Sequence, residues 1–485
     1  MGEMGFGICG ESVSWAFDPV TGRMVISGRG PMTDYENYEE TPWCAWRNEI
    51  KEVVFEPGVT TLGDYAFENC ENLETVAFTG DVDILGTFAL SKCPKIAEII
   101  LPEGVRVIGA KTFSACAGLK KVHIPLSVKA MDMKAFEQNP GLCEVTYGGT
   151  EEQFDQIRIS MDASGNNFLL KAYARSEDVT RWEHFYNLSE EKIPVFELAG
   201  EIIRKGGDGR FHMLTIQLTT MHKTGKPGDC TLLIFPDGKT MMVDAGVAFC
   251  EERVMDALRR IGLTKLDYFM TSHPHGDHVG NALAVAKYLF EKGEGIGTYF
   301  FSGHVYKEEE PEFAAYIAEH GTVMDNHLTR GDERQIGEIK MEVLKPTRQE
   351  LIDGAALRGD EVNSISLTVK FTFGKVSYLT GGDLYRSDER EVVKTYGDHL
   401  KSTILKACHH GVFTSGSKEW LETVAPEVIL VTSDDIGSTV YAEDAARKNR
   451  GYFSYGTDGS ILTSITSDGE IEVRAAYGKT FYRKV

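Results

Sequence analysis

Between residues 53 and 147 apolar positions recur with a period of 23. One column holds Val53, Val76, Ile99, Val122 and Val145, and a second holds Phe55, Phe78, Leu101, Ile124 and Tyr147. Three more follow the same spacing: Leu62, Leu85, Ile108 and Met131; Phe67, Leu90, Phe113 and Phe136; Leu73, Ile96, Leu119 and Leu142. Positions such as Val53 and Phe55 alternate as in a strand with one face inward. A Gly or Pro turn and a tighter apolar segment facing back, such as Tyr65-Ala-Phe67, complete the unit. No single unit buries its own apolar face, so the pattern predicts stacked repeats forming a solenoid. Cys70, Cys93 and Cys116 share one column, with Asn139 next in the series; these read as small buried slots, not as a metal or disulfide ladder.

From residue 211 on, short apolar runs interleave with helical periodicity. Strands are predicted at Met213 to Thr220, Thr231 to Phe235, into Asp244, and up to Met270, with helices from Glu251 to Ile261 and from Gly280 to Leu289. A second series follows: strands near Lys340 to Leu344, Ser366 to Phe373, Val376 to Thr380 and Ile404 to Ala407, a helix from Ser417 to Val424, a strand from Val428 to Thr432 and a hairpin about Gly459 or Gly469. Two such series predict two sheets packed face to face with helices outside, an α/β class.

Chemistry concentrates where the strand ending at Met270 stops. The turn Thr271-Ser-His-Pro-His-Gly-Asp-His-Val-Gly280 holds His273, His275, Asp277 and His278. Imidazoles at i and i+2 point the same way from an extended chain, toward one cation, and the following acid and imidazole can serve a second. Imidazole with carboxylate suits zinc, iron or manganese better than calcium.

The order His-x-His-x-Asp-His resembles the signature of metallo-β-lactamase-fold hydrolases, and further segments fit that resemblance. Lys239-Thr-Met-Met-Val-Asp-Ala-Gly246 is similar to the strand that places an acid, here Asp244, beneath the site as an acceptor behind the ligands. Val376-Ser-Tyr-Leu-Thr-Gly-Gly-Asp383 is similar to the strand whose terminal Asp bridges two metals about 3.5 to 4 Å apart. Leu405-Lys-Ala-Cys-His-His-Gly411 is similar to the strand carrying the last imidazole. Neighbours on an extended chain face opposite ways. Of this pair the resemblance therefore implies His410 as ligand, with His409 left for substrate contact or proton donation.

The resemblance thus implies His273 and His275 on one metal, Asp277, His278 and His410 on the other, Asp383 between them, and Asp277 and His409 as catalytic groups. Two divalent ions are expected, zinc first and manganese as the alternative. The chain departs from the pattern at the third imidazole of the first metal, where Gly359-Asp-Glu-Val-Asn-Ser-Ile-Ser-Leu367 supplies Asn363. That makes Asn363 a weak ligand or none, with His304 or His327 as loop substitutes. The Asn-x-x-Ser-Leu form, with Gly228-Asp-Cys-Thr-Leu-Leu-Ile234, resembles the hydrolase domain of ComEC-type DNA-uptake channels and related phosphodiesterases.

In the first half, Cys9-Gly-Glu-Ser-Val-Ser-Trp15, the Gly-Asp-Tyr-Ala-Phe67 turn and Tyr147-Gly-Gly-Thr-Glu-Glu-Gln-Phe154 resemble the BspA-type leucine-rich repeat family. The expected organisation is a BspA-type leucine-rich-repeat β-solenoid over 5–173, a helical connector with a flexible joint over 174–210, and a metallo-β-lactamase αββα sandwich over 211–485. The resemblance makes the repeats either a protein-binding arm or a rigid cap on the hydrolase.

The 485 residues hold two or three domains with good cores. The net charge of -22 divides as -9 in residues 1–150 and -13 in the rest. Long nucleic acids are held mainly by basic surfaces, so a dedicated nucleic-acid binder is excluded while a small anionic substrate is not. Nine cysteines form no disulfide framework, no apolar run approaches a membrane span, and Met1-Gly-Glu-Met-Gly-Phe-Gly7 lacks a secretory pattern. The expectation is a cytoplasmic protein, with export by another route left open.

Together these readings predict a metal-dependent hydrolase in which a metal-activated hydroxide attacks an electrophilic centre, a phosphodiester first, a thioester or lactone next and a lactam last because of the third-ligand change. The alternative is a repeat-mediated scaffold with a degenerate metal domain.

Overall fold

The computed structural model describes residues 4–131, 134–154, 157–159, 191–218, 228–304, 309–354, 357, 359–412, 414–433 and 439–485. Residues 174–190 of the expected connector, with Trp182, Phe185 and Tyr186, lie outside them. The chain divides into two compact units, residues 1–185 with 435–439 and residues 186–434 with 440–485.

In the first unit a three-strand antiparallel lead-in, Gly5–Gly10, Val13–Asp18 and Arg23–Gly28, passes into parallel strands Glu52–Phe55 and Thr75–Phe78. The strands Glu98–Ile100, Lys121–Ile124 and Glu144–Tyr147 continue the repeat, with Ile99, Val122 and Val145 in register. A second parallel ladder runs through the return segments, including Val59–Leu62, Ile84–Leu85 and Val107–Ile108. The apolar columns meet between the ladders in one core. Stacked pairs such as Phe113 on Phe136, 5.1 Å between ring centroids, show how successive coils contact through like residues.

The cysteine column has a structural role. Cys93 Sγ donates to the Phe67 carbonyl and Cys116 Sγ to that of Leu90, while Asn139 Nδ2 donates to Phe113 at 2.8 Å. Each slot therefore needs a small donor to satisfy a carbonyl 26 residues earlier. Each coil also carries left-handed backbone at non-glycine positions: Tyr65, Phe88, Lys111 and Lys134 in one column, Asn69, Lys92, Ala115 and Gln138 in another. Isolated, such residues cost roughly 1–2 kcal/mol each. Backbone bonds to the next coil, such as Tyr65 N to Thr87 O and Phe67 N to Ala89 O, hold them there.

The second unit contains two mixed sheets. The nine-stranded sheet is ordered Val323–Asp325, Gly295–Phe300, Lys265–Met270, Thr240–Val243, Thr231–Ile234, Phe211–Thr215, Ile461–Ile465, Glu470–Ala475, Thr480–Lys484. The seven-stranded sheet is ordered Glu333–Ile336, Ile339–Lys345, Thr368–Phe373, Val376–Thr380, Ile404–Lys406, Val428–Val431, Gly451–Ser454. One core joins their facing sides, including Met213, Leu233 and Met241 with Val369, Phe371 and Val428. Helices cover the outer faces: Glu251–Ile261 and Ala282–Lys292 on the first sheet, Arg386–Tyr396 and Lys418–Val424 on the second. Strands covered on both sides explain the unbroken apolar runs. This is an αββα arrangement.

The expected connector differs. Helix Val195–Arg204 packs Val195, Phe196 and Ala199 into the second unit's core, so it is part of that unit and not a spacer. From Lys205 to Arg210 the chain makes a turn in which Gly207 N donates to Ile202 O and Asp208 accepts from His212 Nε2 at 2.8 Å. A Cβ on Gly207 would lie 2.2 Å from the Pro236 carbonyl.

Replacing Phe113, fully buried between coils, with Ala should destabilise the first unit by about 3–5 kcal/mol. Chemical denaturation of the full chain, followed by the change in the transition that reports this unit, checks it.

Candidate metal centre

The candidate residues collect at one edge of the two sheets because parallel strands end together there. Thr240–Val243, Lys265–Met270 and Gly295–Phe300 run parallel in one sheet, and Val376–Thr380, Ile404–Lys406 and Val428–Val431 in the other. Asp244, the His273–His278 turn, Asp383 and the His409–His410 pair each follow directly on one of these strands.

Asp383 Oδ2 is the point of convergence. It lies 3.2 Å from His278 Nε2, 3.2 Å from His410 Nε2, 3.8 Å from His409 Nε2 and 3.9 Å from His273 Nε2. His410 Nε2 is also 3.5 Å from Asp277 Oδ2. His278 Nε2, His410 Nε2 and both Asp383 oxygens are buried, yet none has hydrogen-bond geometry among the described residues. Leaving such atoms unmatched costs about 1–3 kcal/mol each, and more when charged. Donor atoms held 2.0–2.1 Å from one cation stand about 2.9–3.4 Å apart, so these separations and this donor set fit a divalent metal. His273 Nε2 and His275 Nδ1 face each other at 2.9 Å, a spacing that suits one shared proton or one shared cation.

The groups behind the ligands are equally ordered. Asp244 accepts from Ser272 N at 2.8 Å, Ser272 Oγ at 2.7 Å and His278 Nδ1 at 2.8 Å. It does so from left-handed backbone, φ 57°, which these three bonds and its own N–H to Met270 O hold in place. A carboxylate on Nδ1 fixes the tautomer so that Nε2 faces the centre. Asp229, not singled out in the sequence, does the same for His410, accepting from Nδ1 at 3.0 Å, and is paired with the buried Lys406. The sequence signal for both lies in the Gly228-Asp-Cys230 and Leu405-Lys-Ala407 segments.

Strand alternation was expected to separate His409 from His410. It does not, because both sit in a tight turn, Cys408–Gly411, at φ 43° and 58°, and both rings reach Asp383. His409 N to Gly382 O, Cys408 N to the Tyr441 hydroxyl and Ser415 Oγ to Cys408 O hold that turn. Of the hydroxyls at 414–417, Thr414 Oγ1 bonds His409 Nδ1, whereas Ser415 is committed to backbone carbonyls and Ser417 caps the Lys418–Val424 helix. Asn363 is fully buried, its Nδ2 donating to the Tyr385 hydroxyl at 2.9 Å and its Oδ1 lacking a hydrogen bond among the described residues. The Tyr385 ring packs edge-on against His409, 5.2 Å between centroids. Tyr385 is a second residue that sequence reasoning missed. Neither His304 nor His327 belongs to the described ligand cluster, which comprises Asp229, His278, Asp383 and His410.

Electrostatics follow from burial. Burial disfavours charge on His278, but Asp383 and Asp244 outweigh it and carry the imidazole up to about 10. His410 is likewise pushed well above the usual histidine range against burial, by Asp383 and Asp229. Burial and His278 hold His273 well below it. Burial opposes ionisation of Asp277 and Asp383, yet both carboxyls are held well below their usual range, Asp277 by its hydrogen bond with His410 and then the charge of His278, Asp383 by the charges of His410 and then His278.

Two family matches cover parts of the chain. Residues 44–157 match the BspA type leucine rich repeat region in six copies, and residues 224–340 match the metallo-beta-lactamase superfamily. The second match ends before Asp383 and His410, which the fold brings to the site. ComE operon protein 3 of Bacillus subtilis (strain 168) is 27% identical over 183 residues, 38% of this chain and 22% of that protein. Competence protein ComA of Neisseria gonorrhoeae is 27% identical over 207 residues, 42% and 25% of the two chains. The chain thus spans about a quarter of the length of the curated relatives it matches. The solved metallo-beta-lactamase fold protein YhfI from Bacillus subtilis is 12% identical, covering 57% of this chain and 100% of that one with a TM-score of 0.36.

Without metal, the pH dependence has a defined sign. His278 titrates near 10 in the folded state against 6.5 ordinarily, so its stabilising contribution is full below about pH 6.5 and lost as pH rises toward 10. Asp277 and Asp383 are depressed, so theirs is present above about pH 4 and lost on acidification. His273, held low, contributes stability that is present above about pH 6.5 and lost below it, so metal-stripped protein should be most stable near pH 6.5. Its thermal midpoint should fall on the alkaline side, and added zinc should remove that fall. Thermal scans against pH with and without chelator check this.

Proposed function

We propose that this chain, in which a BspA-type leucine-rich repeat region precedes a metallo-β-lactamase superfamily hydrolase domain, cleaves a phosphodiester bond in a small anionic substrate with two bound divalent metals, zinc in the first instance. The observation that carries the reading is the convergence on Asp383 Oδ2 of His278 Nε2, His410 Nε2, His273 Nε2 and His409 Nε2 within 3.2–3.9 Å. His278, His410, Asp277 and Asp383 would hold one metal, and His273, His275 and Asp383 the other. Bound metals supply Lewis acidity and a water acidic enough to attack at neutral pH.

The chain's own groups do the rest. Asp244 and Asp229 keep a proton on Nδ1 of His278 and His410, leaving both Nε2 atoms for coordination. His409, with Nδ1 bonded to Thr414 Oγ1, presents Nε2 beside the centre, where it delivers a proton to the departing oxygen. Asn363, at the position where the resemblance expects a third imidazole, is an uncharged group bonded to the Tyr385 hydroxyl. A substrate with two non-bridging oxygens suits a site that binds it through both metal and hydrogen bonds. The resemblance of the Gly228–Ile234 and Asn363–Leu367 segments to the ComEC-type subgroup and related phosphodiesterases supports the phosphodiester class, and the net charge of -22 supports a small substrate over a long polyanion.

Purified protein should carry two metals per chain and hydrolyse bis-(p-nitrophenyl) phosphate, with Asp277→Asn abolishing turnover while the fold persists. No turnover with any added zinc or manganese would overturn the enzyme reading in favour of a repeat-borne scaffold. His409→Ala should lower kcat by about 10²–10⁴ for diesters with alkoxide leaving groups, and far less for p-nitrophenolate, which departs without a proton. Equal losses on both would remove the proton-donor role.

A further inference from the structure

Asp229 and Lys406 form an ion pair behind His410, 4% and 3% exposed. Distance alone admits Asp229 as a fourth ligand beside His278, Asp383 and His410, since suitable atoms of all four lie within 4.8 Å of one another. Its bonding points elsewhere. Oδ1 accepts from His410 Nδ1 at 3.0 Å and Oδ2 is paired with Lys406 Nζ, so both oxygens are engaged on the side of the ring away from Nε2.

The backbone of the same residue reaches the other ligand loop. Asp229 N donates to the Asp277 carbonyl at 3.1 Å, and its own carbonyl accepts from Gly246 N at 2.8 Å. Gly228 is pressed so closely onto this loop, at φ 78°, that a Cβ there would lie 1.9 Å from the Asp277 carbonyl oxygen. Lys406 Nζ also reaches the Gly382 carbonyl at 3.4 Å, next to Asp383, and that carbonyl accepts from His409 N at 3.0 Å. The Gly228–Asp229 turn therefore touches the Asp277 loop of one sheet and the His410 turn of the other, while Lys406 ties it to the segment bearing Asp383.

We propose that Asp229 is a positioning residue and not a ligand: it holds His410 with Nε2 toward Asp383, and Lys406 keeps its second oxygen from turning into the metal site. This rests on the metal-centre reading above but not on the choice of substrate. Lys406 on Oδ2 draws charge from the carboxylate and holds that oxygen away from Nε2 of His410. It also offsets one of four acids, Asp229, Asp244, Asp277 and Asp383, gathered around the centre.

Asp229→Asn alone would strand a buried lysine, so the pair is replaced together. Buried ion pairs exchanged for apolar residues of similar volume often leave stability unchanged. Zinc affinity and stoichiometry are measured by chelator competition for the parent, D229L/K406M and D229N/K406M, with thermal unfolding of each metal-free protein as the control for folding. The proposal expects two metals per chain in all three, affinity about 10–100-fold weaker in D229L/K406M, and recovery to within a few-fold of the parent in D229N/K406M, whose amide oxygen still accepts from His410 Nδ1. Loss of one metal equivalent in both double variants would make Asp229 a ligand. Parent affinity in D229L/K406M would make the pair merely structural. Since no substrate is used, failure of the phosphodiester reading and failure of this one are told apart.

Discussion

The second unit is organised around a carboxylate oxygen that its neighbours leave without hydrogen-bond geometry. Asp383 Oδ2 is approached by four imidazole nitrogens, and the two nearest stand at 3.2 Å without hydrogen-bond geometry. Taking this many ionisable groups out of water costs several kcal/mol per charge unless a counter-charge joins them. A bound cation meets that requirement, and the outer bonds from Asp244 and Asp229 determine which nitrogen each histidine offers to it. Local backbone strain serves the same end. Asp244, His409 and His410 all occupy left-handed backbone, held by bonds to Met270, Gly382, Tyr441 and Ser415.

The repeat unit solves a different problem by the same economy of satisfied backbone. Each coil is too small to bury its apolar face, so burial comes from the next coil, and so does the hydrogen bonding of its left-handed residues. The Cys and Asn column shows that the repeated position requires a compact donor toward a carbonyl of the preceding coil, a requirement that thiol and amide both meet.

Much of this was legible along the chain. The period of 23 residues names the residues that later meet in register, Ile99 with Val122 and Val145 among them, because a parallel solenoid converts sequence spacing directly into contact. Helix Glu251–Ile261 and strand Val376–Thr380 fall on the residues read for them, since amphipathic spacing and unbroken apolar runs are local signals. The strands Gly295–Phe300 and Val323–Asp325 and the helix Arg386–Tyr396 were not read, the last because its few apolar positions are outnumbered by charged ones, of which Asp388 and Glu389 are buried.

By itself the sequence determined the two architectures, their order, and the types of ligand available, because periodicity and ligand spacing act over a few residues. The tertiary structure alone decided which atoms converge. Asp229 lies 181 positions from His410 and meets its Nδ1 at 3.0 Å only because two sheets end at a common edge. The adjacent His409 and His410 both reach Asp383 because a left-handed turn, held by residues from three other segments, cancels the alternation that an extended chain would impose.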